Sequence, residues 1–162
     1  MDKQELYGKW VDKVCQFIES VGPEFNCMSC AMQSKPVLDK SPQVVFLGYN
    51  AHEPFPYQGA NKERFYDGNP YFYTEHENWP VWGKLYAAMK WAKFTEPMED
   101  GNFVFMNAVY FGSQDIKNLK AKKGSAEIIN QCLDFSAEVI KDISSTVLGP
   151  DGEKLLFEAI KD

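Results

Sequence analysis

The chain has 162 residues, with 17 basic against 23 acidic side chains and a formal charge of −6. This length suits a single domain that buries a core without disulfides, and 44% apolar residues exclude a disordered tail. Arg64 is the only arginine, and the acidic balance argues against a general nucleic-acid coat, because such proteins grip phosphates with arginine and net positive charge.

The first predicted elements are a helix, a strand and a long loop. Residues 3–20 carry apolar side chains at helical spacing, and Gly22-Pro23 is expected to end this helix. The segment QVVFLG at 43–48 is short, apolar and β-branched, which is typical of a buried parallel strand. Residues 49–80 are dense in aromatic residues, Pro, Asn and Gly, and a loop of about 30 residues in a compact domain is usually functional.

The remainder of the chain alternates between predicted helices and strands. In order, these are a helix at 81–93, a buried strand at 102–112, a basic connector at 117–124, a helix at 125–143, a short strand at 146–149 and a helix at 153–162. This alternation predicts an α/β fold, specifically a three-layer αβα sandwich with a short, mostly parallel central sheet. No run of about 18 apolar residues predicts a membrane span, and the N-terminus lacks the apolar core of a secretion signal, so we expect a cytoplasmic protein.

Parallel sheets bind ligands outside the carboxyl ends of their strands. The polar side chains predicted at these ends are Asn50, His52, Glu53 and Asn107. Asn107 lies inside an apolar strand, where a buried amide is costly unless it ties a neighbouring loop or faces a ligand such as a pyrimidine edge. Asn50 can orient a water or a ligand amide, or it caps its own turn. His52 can titrate near neutral pH, or it is an ordinary solvated loop residue.

The long loop also offers aromatic side chains. Each can stack on a flat base, which is worth about 1–3 kcal/mol, or it can pin the loop to the domain. These side chains are Phe55, Tyr57, Phe65, Tyr66, Tyr71, Phe72 and Tyr73.

Three of the four cysteines offer soft metal ligands. Cys27 and Cys30 have CxxC spacing, and with Cys132 they can bind zinc or an iron–sulfur cluster. The alternative is that they are small buried hydrophobic side chains. In a cytoplasmic protein we do not expect them to form disulfides.

Five segments follow one another along the chain: VVFLGYNAHE, GNPYF, VWGKLYAAM, FVFMNAVYFG and CLDF. Their order resembles that of the uracil-DNA glycosylase superfamily. In that family a strand ends in a Gly-x-Asp/Asn-Pro turn whose acid or amide orients the attacking water, and Gly48-Tyr49-Asn50-Ala51 is similar, with Ala in place of Pro. The family's Gly-x-Pro-Phe segment, which supplies the aromatic residue that stacks on the base, resembles Gly68-Asn69-Pro70-Tyr71. The resemblance implies that Asn50 orients water and that Tyr71 or Phe72 stacks.

The second strand of the family carries an Asn-Ala-Val-like segment whose Asn recognises the pyrimidine edge. Asn107-Ala108-Val109 matches it, so the resemblance implies base recognition by Asn107. The family also has a His-Pro-Ser-Pro-like loop after a further strand, whereas this chain has no His after His76. We therefore expect one domain over residues 1–162 that is incomplete at its C-terminal end because it lacks this motif.

The iron–sulfur branch of the family has an early CxxC and a cysteine in the helix after the second strand. Cys27, Cys30 and Cys132 lie at comparable places. The remaining cluster cysteine of that branch corresponds here to Tyr110-Phe111-Gly112, which contains none.

Three functions remain open. The first is hydrolysis of the N-glycosidic bond of a damaged or deaminated base in DNA, with Asn50 and His52 as catalytic residues and Tyr71, Phe72, Phe55 and Asn107 holding the base. The second is a domain of the same fold that binds a nucleobase, a nucleotide or a protein partner without chemistry, which the missing His, the negative charge and the single Arg favour. The third is a metal or cluster protein that uses the three cysteines, and no other cofactor is expected.

Overall fold

The computed structural model describes residues 2–143, and the strand expected at 146–149 and the helix expected at 153–162 lie outside them. The described part mixes helices with a short parallel sheet, so its α/β character is confirmed. Its elements are α1 (Lys3–Phe25), β1 (Val44–Gly48), α2 (Glu63–Asp67), α3 (Pro70–Glu75), a 3₁₀ turn (His76–Asn78), α4 (Pro80–Trp91), α5 (Glu96–Glu99), β2 (Phe103–Asn107), α6 (Ile116–Lys120) and α7 (Ser125–Ile143).

The sheet consists of β1 and β2, paired in parallel so that Val44 lies opposite Phe103 and Gly48 opposite Asn107. The other edge of β2 bonds to residues 29–34, because the Gln33 N–H donates to the Phe105 carbonyl at 2.9 Å. In the same way the Asn107 N–H donates to the Ala31 carbonyl at 2.7 Å. These bonds fix a third segment beside the carboxyl end of β2.

Two hydrophobic clusters pack against the sheet. Alternate side chains of β2 enter different clusters, as expected from the two-residue period of a strand. Val104 and Met106 join the large cluster with α1 and α7, while Phe103 and Phe105 join a smaller aromatic cluster with Phe72. None of the helices between residues 2 and 143 combines the length and the apolar character that a membrane span needs.

The helix expected at 3–20 is longer than predicted. It runs through Gly22-Pro23 to Phe25, and Asn26 ends it in the left-handed region with φ of 49°. The prediction was wrong because burial of Phe25 in the extra turn outweighs the one hydrogen bond that Pro23, which has no N–H, cannot donate. The Phe25 ring lies 5.1 Å from that of Phe111.

The region 49–80 is not the continuous loop that was predicted, because it contains α2, α3 and the 3₁₀ turn. These elements are too short for a helical period to be visible in the sequence. The second strand ends at Asn107 rather than Gly112, although Ala108–Phe111 are buried. The expected basic connector forms α6 in part, and the helix expected at 125–143 is confirmed as α7.

The first half of residues 49–80, which we call the aromatic loop, is tied to α1. The Tyr57 ring packs on Gly22, where even a Cβ atom would clash with it. The Tyr7 hydroxyl donates to the Phe65 carbonyl at 2.5 Å, and the Lys62 ammonium lies 2.5 Å from the Asp12 carboxylate. The loop is therefore attached to the domain through its first half.

Trp10 joins α1 to α7 and tests the large core. Its ring is buried, and its Nε1–H donates to the Phe135 carbonyl at 2.8 Å. We expect Trp10→Phe to lower the free energy of unfolding by about 2–3 kcal/mol, because it opens a cavity and removes a buried hydrogen bond. Urea unfolding measures the effect, and Trp91→Phe is the matched control because Trp91 is 89% exposed. A loss no larger than that of the control would contradict this packing.

Candidate functional site

A pocket of about 690 Å³ opens at the carboxyl ends of β1 and β2. Gly48 and Asn107, the last residues of the two strands, line it together with the turn that follows β1. The turn contributes Tyr49, Asn50, Ala51, His52 and Glu53, and Tyr71, Glu75 and Trp79 line the pocket from the aromatic region. The structure thus brings together Asn50, His52, Tyr71 and Asn107, which the sequence predicts as site residues.

Asn107 is only 3% exposed, yet its side chain lines the pocket. Its Nδ2 donates to the Cys30 carbonyl at 2.9 Å, which fixes the orientation of the amide. Its Oδ1 lies against Gly48, where a Cβ atom would approach to 2.9 Å. The amide therefore ties a neighbouring segment, which is one of the two roles left open for it, and the residue also lines the pocket.

Asn50 is held by the chain that follows β2. Its Nδ2 donates to Ser113 Oγ at 2.9 Å and to the Ala51 carbonyl at 3.1 Å. The Ser113 hydroxyl in turn donates to the Asp115 carbonyl at 2.7 Å, so its oxygen is available as an acceptor. These bonds leave Asn50 Oδ1 as the group that can accept a hydrogen bond from a water or a ligand.

A polar network in the pocket wall was not predicted as a unit. Glu53 Oε2 lies 3.2 Å from Arg64 Nη1, and Glu53 Oε1 accepts from Asn69 Nδ2 at 3.1 Å. Asn69 Nδ2 also donates to Gln33 Oε1 at 3.0 Å. The one available sign was that the only Arg of the chain lies eleven residues after Glu53 in an aromatic loop. The Glu53 carboxylate is thus paired with one cation and one amide, and it lies in the wall of the pocket.

The structure separates the predicted aromatic residues. Tyr71 is 60% exposed and lines the pocket, as does the partly exposed Tyr49. Phe72 is 3% exposed and lies in the small cluster, with its ring 5.3 Å from that of Trp82, so it does not reach the pocket. Phe55 is 56% exposed and is not among the lining residues. The helical turn of α3 explains the first difference, because adjacent residues on a helix face different sides.

All four cysteines are buried and free. Among the side chains that the structure describes, which do not include that of His76, no three His, Cys, Asp or Glu groups lie close enough to hold a metal ion together. Burial raises the pKa of the Cys30 thiol to about 12, with the Glu53 carboxylate adding to the effect. Burial likewise raises the pKa of Cys132 to about 12 and raises that of Cys27. Within this part of the chain the cysteines are packed as neutral side chains.

Comparison of the chain with models of known protein families, with curated proteins and with solved structures finds no match. The chemistry of the pocket therefore rests on its own residues.

The raised thiol pKa values predict a loss of stability at alkaline pH. An unfolded cysteine ionises with a pKa near 9.0, whereas the folded state keeps the protons of Cys30 and Cys132 up to about pH 12. Their contribution is complete below pH 9 and is lost as the pH rises through that window. We expect the free energy of unfolding to fall between pH 9 and 10 by about 1 kcal/mol for each of these thiols.

Urea unfolding at several pH values measures this slope. Cys132→Ala removes one of the buried thiols whose pKa is raised, so the fall in the free energy of unfolding between pH 9 and 10 should be about 1 kcal/mol smaller than in the wild type. An unchanged slope would show that Cys132 does not titrate as a buried thiol.

Proposed function

We propose that the pocket binds a nucleobase and that the protein hydrolyses the N-glycosidic bond of that base, as a uracil-DNA glycosylase-like enzyme. One observation carries the proposal. Asn50 and Asn107 follow or end different strands, were predicted for different tasks, and line one pocket with an exposed Tyr71 beside them. Two amides and an aromatic face are what recognition of a flat, polar-edged base needs.

Asn107 recognises the base edge in this proposal. One Nδ2 hydrogen is used by the Cys30 carbonyl. The second faces only Cys30 Sγ at 3.9 Å, a weak acceptor that a base carbonyl can replace, and Oδ1 can accept from the base. A pyrimidine that presents a ring N–H next to a carbonyl oxygen, such as uracil, can pair with both groups. The buried amide would be left unsatisfied by a base with the wrong edge, which is a strong basis for discrimination.

In this proposal Asn50 orients the attacking water, and His52 stabilises the departing base. Asn50 Oδ1 accepts a hydrogen bond from the attacking water and directs its oxygen to the anomeric carbon of the sugar. The new C–O bond forms as the C–N bond breaks, the base leaves with the electron pair, and the proton lost by the water neutralises it. His52, which is exposed at the pocket, can donate an N–H to the departing base.

The fold that accompanies this function is a three-layer αβα sandwich with a short, mostly parallel sheet. Its support is that alternate side chains of β2 pack into different clusters, one with α1 and α7 and the other with Phe72 and residues of α4. The described sheet has two strands.

Binding without hydrolysis is the second candidate, and one observation favours it. Glu53 is the carboxylate of the pocket that follows Asn50 most closely in the chain, and it is paired with Arg64 and Asn69. Both oxygens of this carboxylate are already engaged by protein groups, which hold it in the wall of the pocket rather than against a water. A pocket of this kind binds a base but contributes less to water activation.

Release of uracil from single-stranded and double-stranded DNA tests the proposal. We expect Asn107→Ala to lower kcat/KM by about tenfold to a hundredfold, since recognition of a base edge is worth about 1–3 kcal/mol. Tyr71→Ala should weaken binding of the base by about tenfold or more, whereas Tyr71→Phe keeps the ring and should retain binding. Asn130→Ala, at an exposed position of α7, is the control and should change nothing.

Calorimetry with deoxyuridine separates the two candidates. Binding of the nucleoside that depends on Asn107, without release of base from DNA, identifies a binding domain. If the folded wild-type chain neither binds deoxyuridine nor releases uracil from DNA, both candidates are rejected.

A further inference from the structure

Next to the pocket lies a concentration of positive charge, which we call the basic segment and define as residues 117–123. Its lysines are Lys117, Lys120, Lys122 and Lys123, and it contains no acidic residue, although the chain as a whole carries a formal charge of −6. Lys117, Lys120 and Lys123 are exposed. Among residues 2–143 these three lysines form no ion pair with a carboxylate. The basic residues that do form ion pairs there are Lys9, Lys13, Lys62 and Arg64.

The basic segment is held in place by hydrogen bonds and packing that leave the ammonium groups of these three lysines in the solvent. Asp115 Oδ1 accepts from the Asn118 N–H at 2.8 Å and begins α6. Leu119 is fully buried on the opposite side of the same short helix. Lys122 is the exception among the four, because its ammonium donates to the Phe25 carbonyl at 2.8 Å. One lysine thus anchors the segment while the others face the solvent.

Two contacts connect the basic segment to the pocket. Lys120 Nζ lies 5.7 Å from the centre of the Tyr49 ring, and Tyr49 lines the pocket. Ser113 accepts from the Asn50 amide and donates to the carbonyl of Asp115, the residue that caps α6. The positive charges therefore begin at the rim of the pocket.

We infer that the basic segment binds the phosphates of a nucleic-acid strand beside the nucleotide whose base enters the pocket. This inference rests on the proposed function and adds to it the surface of this chain that holds the strand outside the pocket. A base in the pocket leaves its flanking phosphates outside, and a chain of negative net charge needs a local positive surface to hold them. Exposed aromatic rings beside a positive surface are typical of single-strand binding, and Tyr49 and Tyr71 provide them at the rim.

The test measures binding of a short single-stranded oligodeoxynucleotide with one deoxyuridine by fluorescence anisotropy, between about 50 and 200 mM salt. The variant is K117Q/K120Q/K123Q, which removes the three exposed charges. K84Q/K90Q/K93Q removes three exposed lysines elsewhere and is the matched control for net charge. Because each phosphate contact contributes about 0.7 to the slope of log affinity against log salt for single strands, we expect the first variant to lower the slope by about 2.

At the lower salt concentration we expect the affinity of K117Q/K120Q/K123Q for the oligonucleotide to fall by about tenfold or more, and that of the control to fall less. Binding of deoxyuridine itself, measured by calorimetry, should be unchanged in both variants because a nucleoside has no phosphate. K117Q/K123Q keeps the contact of Lys120 with Tyr49 and should lower the slope by about two thirds as much, which guards against a local packing defect.

Equal slopes for the wild type and K117Q/K120Q/K123Q overturn the inference, as does an equal loss in the control. A wild-type chain that binds deoxyuridine but not the oligonucleotide also overturns it and leaves the proposed pocket standing. Failure of the pocket itself shows separately, as loss of deoxyuridine binding and of base release.

Discussion

The alignment of Gly48 with Asn107 across the parallel sheet is the constraint on which the pocket depends. A side chain at the last position of β1 would occupy the space of the Asn107 amide, since even a Cβ atom would lie 2.9 Å from its Oδ1. The glycine is thus required by close approach and not by its own dihedral angles. A shift of one residue in register would turn Asn107 toward the other face of the sheet and remove the amide from the pocket.

The segment before β1 completes this arrangement by pairing with the free edge of β2. It supplies the Cys30 carbonyl that orients Asn107 and the Gln33 amide that bonds to Asn69. The polar groups of the wall are thereby bonded to one another within a largely buried network. Such a network specifies one geometry, because breaking any member leaves another buried group without a partner. The base-binding function proposed for the pocket relies on amides whose orientation is already set before a ligand enters.

Much of the framework could be predicted from periodicity. The long helix at 125–143 and the first strand have clear patterns, and Asn107 stands out because a polar residue interrupts an apolar strand. The lengths of the short helices between 49 and 80 could not be predicted, since they last one or two turns and are stabilised by tertiary contacts. The end of α1 was placed too early for the same reason. Burial of Phe25 outweighs the local preference of Gly22-Pro23 to end a helix.

The site was predicted in outline only. Asn50, His52 and Asn107 follow from the positions of the strand ends, whereas Tyr71 was one of seven aromatic side chains that the long loop offers. The bonds of Glu53 with Arg64 and Asn69 join residues up to sixteen positions apart through the fold of the loop, and no local pattern encodes them. Phe72 and Tyr71 are neighbours of similar chemistry, and only the direction of α3 decides which of them is buried.

The attachment of the aromatic loop to α1 couples the stability of the loop to that of the helix. Because Tyr57, Lys62 and Phe65 are all held by residues of α1, the helix and the first half of the loop share their stability. Slow amide hydrogen exchange in the loop would then report on the unfolding of α1 and not on local breathing of the loop alone. α1 thus supports the loop that carries Tyr71 to the pocket, although it ends more than forty residues before Tyr71 in the sequence.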